Sequence, residues 1–221
     1  MRKFAFVVTF ISLVTLVFWV TNLDIRIARY FYHPELDNPW VVGSYPFWQF
    51  FYNLIPVLSA VILLGTLLII AVTTIFKRGL SLRLPAIYIL CCLLLGPGLI
   101  VNTLFKDNWG RERPRDVIEL GGREVYTPPL QYNGNNGDGR SFPSGHSSVG
   151  FFLISFYFLW KRHNQTLANV ALFSTVLIGG CTGIARMAEG GHFFSDVLWS
   201  AFITISISYL LYLWLYVNRS G

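Results

Sequence analysis

The chain has 221 residues, of which 54% are hydrophobic, 17% are aromatic and only 13% are charged, and its formal net charge is +6. Soluble domains usually carry about a quarter charged residues, so this composition excludes a disordered chain, a coiled coil and a typical cytosolic enzyme. The cysteines Cys91, Cys92 and Cys181 lie inside apolar runs, a pattern that argues against an extracellular disulfide framework.

Six stretches contain no Asp, Glu, Lys, Arg or His: 4–20, 55–76, 85–105, 147–160, 166–185 and 197–217. A helix that crosses the hydrocarbon core of a membrane needs roughly 20 apolar residues, with about 17 as the lower limit. The fourth stretch reaches this limit if its helix begins at Ser144. Lipid admits only helices or closed barrels, and these stretches lack the alternation of barrel strands. We therefore predict an all-α, polytopic membrane protein whose six transmembrane helices form a single domain, 1–221.

The N-terminal part of the chain has the pattern of a membrane anchor followed by an interfacial segment. The first apolar stretch is longer than the h-region of a signal peptide, and Trp19-Val20-Thr21-Asn22 has no small-x-small cleavage site, so we expect it to remain uncleaved. Residues 22–52 hold ten aromatic side chains, and amphipathic rings favour the headgroup layer. Interfacial anchoring is one interpretation of this segment, and recognition of a lipid substrate is the other.

Two glycine patterns bear on helix geometry. Gly96-Pro97-Gly98 interrupts the third apolar stretch and predicts a kink there. Gly179 and Gly183 lie one helical turn apart in the fifth stretch and predict a face of small residues that packs closely against another helix.

The distribution of charge predicts which ends of the helices face the cytosol. With six spans both termini lie on one side, and placing them inside puts the short basic loops 77–84 and 161–165 in the cytosol, as the positive-inside rule requires. The basic residues placed inside are Arg2, Lys3, Lys77, Arg78, Arg83, Lys161, Arg162 and Arg219. All eleven carboxylates then lie outside, together with seven cations from Lys106 to Arg186 that need another explanation.

Three polar clusters lie at the predicted outer ends of helices three to six. They are Lys106 to Pro114 after the third span, Pro143 to His146 at the start of the fourth, and Ala185 to Asp196 between the fifth and sixth. Short connections bring these ends together, so we expect the core bundle to carry one pocket at its extracytoplasmic end. The residues gathered there are Lys106, Arg113, His146, Arg186, His192 and Asp196.

The residue types in this pocket suit work on a phosphate. Arginine presents a planar fork of donors that matches phosphate oxygens, and lysine adds a compact charge. The free N–H groups after an N-cap at Ser144 form an anion site. His192 and Asp196 share a helical face, so the carboxylate can accept from one ring nitrogen and leave the other free to attack phosphorus. His146 would then protonate the leaving oxygen.

Each cluster also has a simpler explanation. A single cation near a span end is commonly a headgroup anchor, Ser144 can be only a helix cap, and His192 with Asp196 can be a structural pair. A zinc site is a further alternative, although catalytic zinc typically takes three protein ligands plus water and cations surround these histidines. One shared phosphate site explains all three clusters more economically than three unrelated causes.

The three clusters resemble the signature of the type 2 phosphatidic acid phosphatase superfamily, which also includes the vanadium haloperoxidases. Its motifs are Lys-x6-Arg-Pro, Pro-Ser-Gly-His and Ser-Arg-x5-His-x3-Asp, and they match Lys106 to Pro114, Pro143 to His146, and Arg186 to Asp196. The resemblance covers about 85–217. Ala185 departs from it, because a serine usually precedes the arginine of the third motif.

The resemblance implies a phosphatase that uses neither a metal nor a cofactor and passes through a phosphohistidine on His192. It implies that His146 is the general acid and that Asp196 orients His192. The implied phosphate cradle consists of Lys106, Arg113, Ser144, Gly145 and Arg186. A haloperoxidase is disfavoured because those enzymes are soluble, and a transporter because no predicted span interior contains an ionisable residue.

Within the superfamily, the stretches Gly110 to Arg115, Tyr126 to Pro129 and Ser141 to His146 look similar to bacterial lipid A phosphatases. The expected activity is removal of the 1- or 4′-phosphate of lipid A. Undecaprenyl-diphosphate phosphatase, phosphatidylglycerophosphate phosphatase and lipid phosphotransferase are the alternatives. The candidates for binding a second phosphate or a sugar of the headgroup are Arg111, Arg115, Arg123 and Arg140, and salt bridges within the loop explain these arginines equally well.

The expected partners are the lipid bilayer and a phosphorylated membrane lipid, with no nucleic acid and no obligate protein partner. The resemblance to bacterial enzymes implies a multi-pass protein of the inner (cytoplasmic) membrane. In that setting the predicted termini are cytoplasmic and the predicted active site is periplasmic.

Overall fold

The computed structural model describes residues 2–134 and 139–218. In these ranges the structure is all-α, with no strand and a single isolated bridge between Val117 and Glu124. The helices are α1 Arg2–Val20, α2 Leu23–Ala28, α3 Pro46–Ile75, α4 Arg83–Leu93, α5 Gly145–Phe152, α6 Ile154–Trp160, α7 Gln165–Ala188 and α8 Phe194–Tyr212. π-Helical turns continue α4 over Leu94–Lys106 and α8 over Leu213–Val217. Arg219, one of the predicted inner cations, lies outside the described residues.

Within the described ranges, four helices are long and apolar enough to cross a membrane: α3, α4 with its π-helical continuation, α7, and α8 with its continuation. The apolar part of α1, Val8–Val20, is shorter. The fourth predicted span is divided at Leu153 into α5 and α6, and each piece alone is too short to cross the bilayer. The all-α, multi-pass prediction is confirmed, whereas the count of six spans stays a prediction.

Local sequence explains several helix boundaries. α3 begins at Pro46, well before the predicted start, because proline is tolerated in the first turn, where its missing N–H costs no hydrogen bond. α7 begins after Asn164, whose side chain accepts a hydrogen bond from Leu167 N at 3.0 Å. At Leu94 the α-helix gives way to π-helical turns, three residues before Pro97, which has no N–H to continue the regular ladder.

The predicted face of small residues in α7 is confirmed. A Cβ atom on Gly179 would lie 2.5 Å from Phe151 Cδ1, and one on Gly183 would lie 2.6 Å from Val197 Cγ1. On the other side of the contact, a Cβ on Gly150 would lie 2.5 Å from the Gly179 Cα. These glycines let α5 and α8 approach the backbone of α7, and so hold α5 in the centre of the bundle.

The aromatic segment 22–52 divides between exposed and packed rings. Tyr30 is 82% exposed, and Phe47 and Phe50 are exposed as well, as expected for rings in a headgroup layer. Trp40 instead packs against Gly190, where a Cβ would lie 2.6 Å from the indole. Trp40 therefore covers part of the loop between α7 and α8, while Tyr30, Phe47 and Phe50 face outward.

One end of the bundle, which we call the histidine end, collects the segments that carry the predicted pocket. α5 packs against the π-helical turns after α4, against α7 and against α8, while α2 packs against the start of α8. The chain ends of these elements bring the loop 107–144 and the loop between α7 and α8 together, so the three sequence clusters meet here.

Candidate active site

His192 lies in the short loop between α7 and α8 and is only 2% exposed. Its Nδ1 is 2.6 Å from the carbonyl oxygen of Ser141. Because a carbonyl can only accept, Nδ1 carries the proton and Nε2 is the unprotonated nitrogen of the neutral ring. No described residue forms a hydrogen bond with Nε2, which leaves its lone pair available for a nucleophilic role.

Asp196 and His192 lie close together but form no direct hydrogen bond. The distance from Asp196 Oδ2 to His192 Nδ1 is 3.9 Å, beyond hydrogen-bond range. The same carboxylate accepts from Ser141 Oγ at 2.6 Å and from Phe193 N at 2.7 Å. The predicted direct hydrogen bond between the two side chains is thus not formed, because Ser141 stands between them: its hydroxyl holds Asp196 and its carbonyl holds His192.

Three cations act electrostatically on His192, and two of them also act on His146. The pKa of His192 lies well below its ordinary value because of burial and because of the positive charges of Arg186 and Lys106, with a smaller effect of Arg113. Burial and the same two charges, Arg186 and Lys106, lower the pKa of His146 to about 4. Both imidazoles are therefore neutral at neutral pH, and both lie in the field that a phosphate would compensate.

His146 occupies the first turn of α5 and stacks on Tyr52 of α3. The two ring centroids are 4.6 Å apart and the ring planes differ by 10°. The guanidinium carbon of Arg186 lies 5.0 Å from the centroid of the same tyrosine ring, within range of a cation–π contact. Tyr52 thereby fixes both the candidate acid and a cradle arginine, a role that sequence analysis missed.

A cavity of about 200 Å³ opens beside His146. Its lining residues are Ile55, Pro56, Asn102, Lys106, Gly145, His146 and Val149. A Cβ on Gly145 would collide with the side-chain oxygen of Asn102, so any larger residue there would displace the Asn102 side chain. The lining combines polar side chains with apolar ones, a combination that fits a polar headgroup attached to acyl chains.

Ser144 sits at the N-cap position of α5, as predicted, but its side chain does not cap the helix. Its hydroxyl is 2.8 Å from Ser147 Oγ, and its backbone N–H donates to the Asp196 carbonyl at 3.3 Å. The first-turn N–H groups, including those of Gly145 and His146, have no partners within the helix. An anion at the predicted site would therefore meet these backbone donors, because the serine hydroxyl is engaged with Ser147.

The two cradle arginines are only partly engaged. The Nε atoms of Arg113 and Arg186 are buried and have no hydrogen-bond partner among the described residues. Arg186 Nη1 forms an ion pair with Glu189, which in turn accepts from Gln49 Nε2 at 2.9 Å. Burial and the neighbouring charge of Arg115 lower the pKa of Arg113. Such underused guanidinium donors are what an anion would satisfy.

The four extra arginines have different surroundings. Arg111 is fully buried and forms ion pairs with Asp24 and Asp196, so the prediction that it binds a headgroup is wrong. The Nε atom of Arg115 lies 3.9 Å from Asp116 Oδ1, and its side chain is partly exposed. This ion pair agrees with the alternative that the loop arginines form salt bridges. Arg123 and Arg140 are exposed, and the charge of Arg140 acts on Arg113.

Within the described part of the chain, no three His, Cys, Asp or Glu side chains are grouped closely enough to hold a metal ion. The donors that meet at the histidine end are two neutral imidazoles and three cationic side chains. Their chemistry suits an oxyanion.

Comparison with known proteins agrees with this geometry. Residues 85–220 match the family model described as the PAP2 superfamily. The chain belongs to the PAP2 superfamily. It is 33% identical over 202 residues to a lipid A 4′-phosphatase of Francisella tularensis subsp. novicida (strain U112), covering 90% of this chain and 88% of that protein. No solved structure matches the chain.

Two further relatives are similar over about half of this PAP2 chain. A lipid A 4′-phosphatase of Rhizobium leguminosarum is 31% identical over 48% of this chain and 44% of its own length. A lipid A 4′-phosphatase of Rhizobium etli is 31% identical over 48% of this chain and 40% of its own length. The family and these phosphatase relatives identify the chain as a phosphoric monoester hydrolase, and its apolar helices make it a multi-pass membrane protein.

Proposed function

We propose that this PAP2 member removes the 4′-phosphate of lipid A on the periplasmic face of a bacterial inner membrane. The observation that carries the proposal is the buried His192, whose Nδ1 donates to the Ser141 carbonyl and whose pKa is lowered by burial and by the charges of Arg186, Lys106 and Arg113. The phosphatase relatives support the choice of substrate. The basic loops 77–84 and 161–165 support a periplasmic site with cytoplasmic termini.

The first chemical step transfers the phosphoryl group to the enzyme. His192 Nε2 attacks phosphorus, an N–P bond forms, and the bond from phosphorus to the sugar oxygen breaks. His146, which gains its proton once the bound phosphate offsets the charges of Arg186 and Lys106, donates that proton to the leaving oxygen. Lys106, Arg113 and Arg186 stabilise the charge on the three equatorial oxygens of the transition state.

The second step returns the enzyme to its starting state. His146, now neutral, accepts a proton from a water molecule as the water oxygen attacks phosphorus and the N–P bond breaks. Inorganic phosphate leaves, and His192 regains its neutral form with Nδ1 still held by Ser141. The charge of the cradle explains why no metal is needed, because three cationic side chains supply the compensation that a divalent ion otherwise provides.

The exposed arginines extend the proposed site toward the rest of the headgroup. Arg140 lies close enough to Arg113 for their charges to interact, and Arg115 and Arg123 are exposed on the same loop. We assign these three arginines to a second phosphate or a sugar of the headgroup. Arg111 is not included, because its guanidinium is buried between two carboxylates.

Replacement of the nucleophile tests the proposal. His192→Ala removes the proposed nucleophilic nitrogen, so we expect phosphate release from lipid A to fall by at least about a thousandfold. The measurement is inorganic phosphate released by the purified protein in detergent, with mass spectrometry of the lipid product. His33→Ala is the matched control and should keep wild-type activity, because the His33 side chain lies outside the candidate site and forms a contact with Glu35.

Two results would contradict the proposal. A folded His192→Ala protein with undiminished activity would exclude the phosphohistidine, and a wild-type protein that releases no phosphate from lipid A would exclude the substrate. The assay is run in EDTA. Loss of wild-type activity that zinc or magnesium restores would exclude the metal-free mechanism.

A further inference from the structure

Asp24 is a buried carboxylate that belongs to α2, far outside residues 85–220 that match the family. It is 0% exposed. Its Oδ1 accepts from Ser195 N at 2.9 Å, and its Oδ2 accepts from Arg111 Nη2 at 2.8 Å and from the Ser195 hydroxyl. A charged group buried this completely is costly unless it is paired, and Arg111 is the cation that pairs with Asp24.

Arg111 joins Asp24 to the active site. Its Nη2 binds Asp24, while its Nη1 binds Asp196 and donates to Ser195 Oγ at 2.9 Å. Its Nε donates to the Thr127 carbonyl at 2.9 Å. Burial alone lowers the pKa of Arg111, but the carboxylates of Asp196 and Asp24 outweigh burial and raise it. One cation is therefore fixed between two anions, and its geometry depends on both.

The contacts of Asp196 carry this arrangement to the nucleophile. Asp196 accepts from the Ser141 hydroxyl at 2.6 Å, and the Ser141 carbonyl accepts from His192 Nδ1 at 2.6 Å. Ser141 N also donates to the Arg111 carbonyl at 2.9 Å. The carbonyl that sets the tautomer of His192 is thus held from two sides by the same buried network.

We propose that Asp24 is a positioning residue for His192 and acts through Arg111, Asp196 and Ser141. The proposal rests on the proposed function, since it assigns Asp24 a part in the same reaction. It means that the N-terminal helices help to position the catalytic residues and do not serve only as a membrane anchor. Without the Asp24 carboxylate, Arg111 pairs with Asp196 alone. The hydrogen bond from the Ser141 hydroxyl to Asp196 then weakens.

The charge balance predicts a signature that a purely structural role would not produce. The charged groups that face His192 are Arg186 from α7, Lys106 from the turns after α4, Arg113 from the outer loop and Asp196 from α8. Neutralising Asp24 leaves the Arg111 charge less compensated behind Asp196, which disfavours the imidazolium form of His192. The acid limb of the pH–rate profile should therefore move to lower pH while the maximal rate falls.

The test compares Asp24→Asn with Asp37→Asn. The first substitution keeps the size of the side chain and removes its charge, and we expect kcat to fall about tenfold with KM unchanged, together with the shifted acid limb. Asp37 lies in the same N-terminal segment but is exposed, so its variant should match the wild type. Folding is checked by gel filtration and thermal unfolding in detergent.

Ser195→Ala provides a second variant that changes no charge. It removes the hydroxyl that bridges Asp24 and Arg111, and we expect kcat to fall about threefold at unchanged KM. If Asp24→Asn is not recovered as folded protein, the kcat of Ser195→Ala tests whether Asp24 positions His192. Wild-type kcat in folded Ser195→Ala, or wild-type kcat and pH profile in folded Asp24→Asn, would overturn the proposal.

The proposal and the proposed function fail in different ways. If wild-type protein releases phosphate and His192→Ala does not, the proposed function holds and the Asp24 variants test the positioning role alone. If the wild-type protein is inactive on lipid A, the proposed function fails before the variants are compared.

Discussion

His146 illustrates how burial and charge set the conditions for a residue to act. In the free protein, burial, Arg186 and Lys106 lower the pKa of His146 to about 4, so the ring is neutral above that pH. A general acid must carry a proton, and the incoming phosphate supplies the negative charge that offsets the two cations. Substrate binding and protonation of His146 are therefore coupled.

This coupling predicts different pH profiles for the free enzyme and the complex. The profile of kcat/KM reports the free enzyme and that of kcat reports the complex. Because bound phosphate raises the pKa of His146, the alkaline limb of kcat should lie at higher pH than that of kcat/KM, by about one unit or more. Steady-state kinetics across the pH range measures both limbs. Coincident limbs would contradict the role of His146 as the acid.

At this scale the sequence marked the candidate reactive groups but not the residues that contact them. His146, His192, Lys106, Arg113 and Arg186 stand in motifs with fixed spacing, as the proposed reaction requires of groups that reach the same phosphate. The groups that hold them do not share such spacing. Tyr52 and Asp24 come from helices far away in sequence. No local sequence pattern predicts the contact of Tyr52 with His146 or that of Asp24 with Ser195.

Helix α7 shows what close packing requires at the level of the element. Gly179 and Gly180 are neighbours in sequence but not in environment. A Cβ on Gly179 would lie 2.5 Å from the Phe151 ring, whereas a Cβ on Gly180 would meet nothing within 4 Å. Only the first glycine is needed for the contact between α7 and α5.

The pair of alanine substitutions should therefore differ in sign. Gly179→Ala should destabilise the protein by about 1–3 kcal/mol, because overpacking forces α5 away from α7. Gly180→Ala should be neutral or stabilising by up to about 1 kcal/mol, because alanine favours the helix and meets no atom there. Thermal unfolding in matched detergent measures both. Equal melting temperatures for the two variants would refute this account of the contact.

The helices themselves were largely predictable from apolar runs, because a long stretch without charged residues is stable in lipid. The exact ends of the helices were not predictable where a different cause sets them. α3 starts at Pro46, before the predicted stretch 55–76, and residues 46–54 carry no charge that would mark this boundary. The division between α5 and α6 at Leu153 has no proline or charge to mark it.

For the whole molecule, the charge distribution predicts an orientation that labelling can measure. A cysteine at Glu119 in the long outer loop should react with a membrane-impermeant thiol reagent added to spheroplasts, whereas a cysteine at Arg78 should react only after the membrane is opened. Both positions are exposed. The wild type is the control, because its cysteines lie within the helices that span the membrane. The reverse labelling pattern would place the histidine end in the cytosol.

The buried network that joins Asp24 to Ser195 closes a sequence separation of 171 residues. Synthesis runs from the first of these residues to the second, so the ribosome must deliver the start of α8 before the carboxylate meets its partner. Chains cut short before α8 should therefore release no phosphate from lipid A. On this account, catalytic competence depends on the insertion of α8.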